Sequence, residues 1–191
     1  PQFRFNWNSP LVMSPSNPDV LYFGGNHVFR SVDRGDSWRI ISPDLTRNDP
    51  ELRDPSGQGG LTRSVTGGEN HFTIFAIAES PLDPAVVWAG TDDGNVQVTR
   101  DGGVTWTNVR HTIPGIPEQI WVSGVVASAH QAGRAYVVFD NHRYDDMAAY
   151  VFRTDDFGAS WVDVSGDLPD DGASYVLVED RKSPNLLFLG T

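Results

Sequence analysis

The sequence predicts an all-β protein, a β-propeller of four-stranded antiparallel blades present as a partial ring of about three and a half blades. Three observations lead there. One eight-residue turn pattern occurs three times, a Pro-containing pair of apolar strands precedes each copy and recurs once at the end, and helical periodicity is nearly absent.

The turn pattern reads Ser/Thr-x-Asp-x-Gly-x-Ser/Thr-Trp. Its copies carry Ser31, Asp33, Gly35 and Trp38, then Thr99, Asp101, Gly103 and Trp106, then Thr154, Asp156, Gly158 and Trp161. Alternating apolar runs flank each copy, such as His27–Arg30 before and Trp38–Ile41 after the first, which reads as a β-hairpin. The Asp accepts hydrogen bonds from backbone two residues on, the Gly supplies positive φ, and the hydroxyls cap further backbone groups. Trp is expected to open the outgoing strand with its ring packed over the turn. Turn geometry accounts for the aspartates, so their role reads as structural.

The second repeated element appears as Ser14–Gly25, as Ser80–Thr91, as a looser copy over Ser128–Asp140, and as Asp180–Thr191. Each is strand, Pro turn, strand, with Pro in the turn, where no ladder hydrogen bond is lost. A full unit is therefore strand A, Pro turn, strand B, loop, strand C, motif turn, strand D, the plan of a propeller blade. Blade 1 is placed at about 5–42, a long loop at 43–71, blade 2 at about 72–110, blade 3 at about 120–165 and a half blade at 174–191. Such an arc leaves two open sheet edges and an uncovered apolar flank, so the ring is expected to be completed by further sequence or by another chain.

The three motif copies resemble the Asp box of BNR-repeat β-propellers, a group that includes sialidases, xyloglucan-degrading glycosidases and sortilin-type receptors. Phe72–Pro81 and Trp88–Gly94 are similar to large secreted bacterial proteins with sortilin-like, glycosidase-like propellers. That resemblance implies an extracytoplasmic or secreted propeller that binds proteins, peptides or glycans. It also implies that the Asp boxes lie away from the ligand face.

Composition narrows the function classes. Net charge is −11, with a single Lys (Lys182) among 14 basic residues, which argues against nucleic acid as a partner. Cys is absent, which excludes disulfides, thiolate metal sites and a Cys nucleophile. No apolar run approaches a membrane span.

Four up-and-down strands put the B–C and D–A connections on one face and the motif turns on the other. The candidate ligand face then collects Asn26 and His27, Asp92 and Asp93, and the third B–C loop of Asp140, Asn141, His142, Arg143, Tyr144, Asp145 and Asp146. Arg143 suits a carboxylate, Tyr144 suits stacking, and the acids suit sugar hydroxyls or Ca²⁺. The bland reading of that loop is a solvated acidic turn with an internal Arg–Asp pair. Asp92-Asp93-Gly94-Asn95 offers oxygens of the kind Ca²⁺ takes, yet it lacks EF-hand spacing, and the simpler reading is a tight β-turn. The five histidines show no ligand spacing, so no metal or cofactor is expected. Arg34-Gly35-Asp36 spells an integrin-binding tripeptide, but the turn dictates its geometry. No nucleophile elbow, P-loop or dinucleotide fingerprint occurs. The leading expectation is a non-catalytic binding face, and the alternative is part of a glycoside hydrolase whose site is completed by missing blades.

Overall fold

The computed structural model describes residues 3–49, 70–169 and 171–191, so most of the expected 43–71 loop lies outside the described residues. Strands β1 (Leu11–Met13), β2 (Leu21–Gly24), β3 (Val28–Ser31) and β4 (Arg39–Ile40) form one antiparallel sheet in chain order. So do β5 (Ile74–Glu79), β6 (Val87–Thr91), β7 (Val96–Thr99) and β8 (Thr107–Asn108). A third sheet holds β9 (Trp121–Ala127), β10 (Ala135–Asn141), β11 (Asp146–Thr154) and β12 (Val162–Asp163), and β13 (Val176–Glu179) pairs with β14 (Leu187–Gly190). The all-β propeller fold predicted from the repeats is the observed one. The C-terminal ends of β1, β5, β9 and β13 and the Pro turns that follow them line a shared cavity of about 830 Å³, with Met13, Glu79, Ala127 and Glu179 in its wall.

All three motif turns are built alike. Asp33 Oδ1 accepts from the Ser31 hydroxyl at 2.7 Å and the Ser37 amide at 2.9 Å, while Oδ2 accepts the Ser37 hydroxyl at 2.6 Å. Asp101 and Asp156 repeat these bonds with Thr99 and Thr105, and with Thr154 and Ser160. Two successive residues take positive φ in each copy: Arg34 and Gly35, Gly102 and Gly103, Phe157 and Gly158.

The tryptophan does not simply cover its own turn. Trp106 Nε1 donates to the Ile41 carbonyl at 2.9 Å, and Trp161 Nε1 donates to Thr112 Oγ1 at 3.1 Å, so each indole ties its sheet to the preceding one. The motif glycine has a second reason to be small. A Cβ on Gly103 would sit 2.5 Å from Ile41 O, and one on Gly158 would sit 2.9 Å from Val109, whereas Gly35 has nothing nearer than 3.6 Å.

Each pair of neighbouring sheets encloses its own apolar cluster. Tyr22, Val28, Ile74, Ile77, Val87 and Ala89 fill the first joint. Trp88, Val98, Val122, Val137, Phe139 and Trp161 fill the second, and Tyr136, Val138, Val151 and Leu177 the third. A polar key closes two of these joints. Glu79 accepts from Ser14 Oγ, Ser16 Oγ and Tyr22 OH at 2.6–2.7 Å, and Glu179 accepts from Ser128 Oγ, Ala129 N and Tyr136 OH at 2.8–3.1 Å. Burial first, then Glu79, pushes the Tyr22 phenol well above its usual pKa, so it stays a donor. At the middle joint the register puts Ala127 where the others have Glu, and Trp88 replaces the tyrosine.

The outer flank of the first sheet is not wholly open, as expected, but partly covered. Phe5 stacks on Phe23 and Phe29 with ring centroids 5.4 and 5.9 Å apart, and Phe3 meets Phe29 edge-on at 5.3 Å. Arg4, between them, points the other way and is buried against Phe72 O, Asp44 and Thr46.

Two glycine substitutions separate backbone strain from close approach. Gly35→Ala pays only for positive φ and should cost about 1–2 kcal/mol. Gly103→Ala must also push Ile41 away and should cost about 3 kcal/mol or more in urea unfolding. Equal losses at both sites would contradict the packing role of Gly103.

Candidate functional site

The face opposite the motif turns gathers the B–C and D–A connections, and the sequence-predicted residues all lie on it. They do not form one open acidic surface. Asn26 is buried, donating to Asp44 Oδ2 at 2.9 Å while its Oδ1 accepts from Arg4 N at 3.0 Å. His27 Nδ1 lies 3.1 Å from Ser42 O. These two residues therefore hold the N-terminal segment and the start of the long connection. Asp44 is kept below its usual pKa: burial opposes this, but hydrogen bonds from Thr46, Asn26 and Arg4 prevail.

Asp92 and Asp93 sit in a β-turn closed by Gly94 N on Thr91 O at 3.1 Å, and both are buried, at 1 % and 6 % exposure. Asp92 accepts the Thr73 amide at 2.8 Å and hydroxyl at 2.7 Å, with His71 Nδ1 at 3.5 Å. Asp93 accepts the Thr91 hydroxyl and the Arg47 amide. Burial, then the neighbouring Asp92 charge, raises Asp93 to about 6.

The third B–C connection is not a loop through Asp140–Asp146. β10 continues through Asn141 with a register shift after Phe139, a single 3-10 turn spans His142–Tyr144, and β11 begins at Asp146. The extra length therefore becomes a raised hairpin. Asp140 is 2 % exposed and accepts from His142 N at 3.1 Å and Arg143 Nη1 at 2.8 Å, with His142 Nδ1 at 2.7 Å. Asn141 and Tyr150 both donate to Asp146 Oδ2, at 2.8 and 2.9 Å. Asp145, at φ 59°, ends the turn, and Tyr144 stands 41 % exposed.

Sequence reading missed the aromatics that complete this region. The Arg143 guanidinium lies 3.9 Å over the Trp121 ring, and His71 and Phe75 flank the same indole at 5.5 and 5.3 Å. Tyr175 OH is 3.0 Å from His142 Nδ1, and its ring is 44 % exposed. The signal was available: Phe75, Trp121 and Tyr175 all fall at the head of the innermost strand of their repeats. The accessible parts of the cluster are the faces of Tyr144 and Tyr175, the half-exposed His142, and the Arg143 edge. Such a set offers flat apolar surface with donors and acceptors beside it, which suits a neutral polyhydroxylated ligand. Among the described residues no group of three or more His, Asp or Glu is placed to hold a metal ion, and no helix is long and apolar enough to cross a membrane.

No family model matches the chain. It is 26 % identical to a xyloglucanase from Hypocrea jecorina over 81 % of its length, and 25 % identical to a xyloglucanase from Paenibacillus sp. over 95 %. These matches cover 19 % and 18 % of the two relatives, so the chain spans about a fifth of the length of the curated relatives it matches. The crystal structure of a GH74 xyloglucanase from Xanthomonas campestris superposes with a TM-score of 0.61 and 18 % identity, over 93 % of this chain and 25 % of that one. The structural likeness shows the propeller fold.

The two faces should respond oppositely to pH. Hydrogen bonds from Ser37 and Ser31 hold Asp33 at about 2, and those from Thr105 and Thr99 do the same for Asp101. A carboxyl held below its unfolded pKa of about 3.9 stabilises the fold above that value and loses this as the pH falls. Asp93, raised to about 6, weakens the fold where it is ionised, so its effect improves as the pH falls from above 6 toward its unfolded value. His71 has the same sign. Burial lowers its pKa, but Asp92 and Asp93 raise it on balance, so its stabilisation fades as the pH rises through the folded value. Thermal stability should peak between about pH 4 and 6. The Asp93 carboxyl carbon should titrate near 6 by NMR and move down in Asp92→Asn. A melting temperature that climbs steadily to pH 8 would contradict this assignment.

Proposed function

We propose that this chain is part of a propeller glycoside hydrolase acting on a xyloglucan-type polysaccharide outside the cytoplasm, with the rest of the cleft supplied by further blades. The likeness to xyloglucanases carries this reading, because it runs nearly the length of the chain instead of resting on one motif. One geometric feature and one electrostatic feature support it. Tyr144, Tyr175, His142 and Arg143 present aromatic faces and hydrogen-bonding groups to a neutral sugar chain. Asp93 is a carboxyl held to about 6, and a general acid must keep its proton near the working pH. Glycosidases use a second carboxylate about 5–9.5 Å away. In this reading that partner belongs to a neighbouring blade or to Asp140. The chain then contributes blades at about 5–42, 72–110 and 120–165 and a half blade at 174–191.

A second reading, a binding face without catalysis in the manner of sortilin-like propellers, is favoured by one observation. Asp92 and Asp93 spend their lone pairs on Thr73, Thr91 and the Arg47 amide instead of facing solvent.

Reducing-end release from xyloglucan by the full-length parent, with xylan and cellulose as controls, separates the two. For a hydrolase, Asp93→Asn should lower kcat by about a hundredfold or more with binding retained. For a binding face, the parent releases nothing, and Tyr144→Ala with Tyr175→Ala weakens retention on xyloglucan by roughly tenfold. A parent that neither cleaves nor binds xyloglucan sinks both.

A further inference from the structure

Asp92 and Asp93 are neighbours with matched hydrogen bonding. Each carboxyl accepts from one backbone amide and one threonine hydroxyl. Asp92 takes Thr73 N and Oγ1 at 2.8 and 2.7 Å, and Asp93 takes Arg47 N at 2.6 Å and Thr91 Oγ1. Both are buried. Two buried carboxyls side by side resist being ionised together, so one of them keeps a proton. The donors do not choose between them.

His71 does. Its Nδ1 is buried, makes no hydrogen bond among the described residues, and lies 3.5 Å from Asp92 Oδ2. No ion pair reaches Asp93 among the described residues. The Arg47 guanidinium goes to Glu118, and Arg110 spends its N–H groups on the Gly94, Pro117 and Glu118 carbonyls. Arg143 shares the Trp121 indole with His71, but it is paired with Asp140, which His142 also meets. Burial works against an imidazolium at His71, and Asp92, then Asp93, outweigh it.

The backbone is strained at this point. Phe72 is buried at φ 62°, a left-handed conformation that is unfavourable for a bulky side chain. Its carbonyl accepts from Arg4 Nε at 3.1 Å, and Arg4 is anchored on Asp44 and Thr46. Such strain persists only where the surroundings over-determine it. The residues on either side of Phe72 are His71 and Thr73, the two that hold Asp92.

We propose, on the reading of Asp93 as a general acid, that His71 is a positioning residue for the acid pair: its imidazolium fixes the negative charge on Asp92 and so leaves the proton on Asp93. Without that cation two near-equivalent carboxyls share the proton, and the leaving-group oxygen meets a carboxylate for much of the time.

Carboxyl-carbon NMR of the chain tests this, with His71→Gln as the variant. The amide keeps a donor for Asp92 and loses the charge. In the wild type the titration step near 6 should fall almost wholly on the Asp93 carbon. In the variant it should divide, with roughly a third or more of it on Asp92. Circular dichroism verifies that the variant folds. In the full-length parent the variant should keep its KM for xyloglucan. The alkaline limb of its kcat profile should move up by about one pH unit, because a cation that favours the anion is gone. A side chain that only packs on Trp121 would change kcat or stability and leave the limb in place. A step that stays on Asp93 in His71→Gln, or an unmoved alkaline limb, overturns the proposal. A wild-type step shared by both carbons overturns it without any variant. A parent that releases nothing from xyloglucan sinks the hydrolase reading alone, and the NMR step still decides whether His71 places the proton.

Discussion

A sheet of four short strands with two apolar faces cannot stand in water alone, and every other feature of this protein follows from the need to cover both faces. Trp88, Tyr22, Tyr136 and Phe139 are all essentially inaccessible to solvent, and each achieves this at a joint between sheets, not within one. Burying one such ring is worth about 2–3 kcal/mol, comparable to a sizeable part of a domain's net stability. The joints are therefore the fold, and the turns and keys serve to keep them in register.

The turns were legible in the sequence because their physics is local. Asp33, Asp101 and Asp156 find all their partners within four residues, so three spelled copies were enough to place them. What the tryptophans do was not legible, since Ile41 is 65 residues from Trp106. Nor was the fate of Asp92 and Asp93. An acid pair next to Gly reads as a solvent-facing turn, yet Thr73 and Arg47 arrive from other segments and enclose it. The raised hairpin at Asp140–Asp146 was read as a loop because its polar composition hides the strand extension through Asn141. Trp121 and Tyr175 escaped notice because apolar residues at the head of a strand look like core until the topology turns that head toward the rim.

Charge is distributed with the same logic. On the motif face the carboxylates are exposed and ionised, held by hydroxyl and amide donors of their own turn. On the opposite face carboxylates are buried and share their surroundings with one another, as Asp92 does with Asp93, or with a cation, as Asp140 does with Arg143. Positive φ occurs on both faces, at Arg34 and Phe157 in the staples and at Phe72 and Asp145 opposite them, but the protonation shifts differ in sign: the staples hold their carboxyls low, while burial raises Asp93.

The ties between sheets share a direction. Ile41 precedes Trp106, Thr112 precedes Trp161, and the hydroxyls of Ser14 and Tyr22 precede Glu79. Each of these ties links a sheet to its immediate neighbour in the chain, so every joint is complete once two consecutive sheets exist, and the arc is held by a series of neighbour contacts, not by one closing contact.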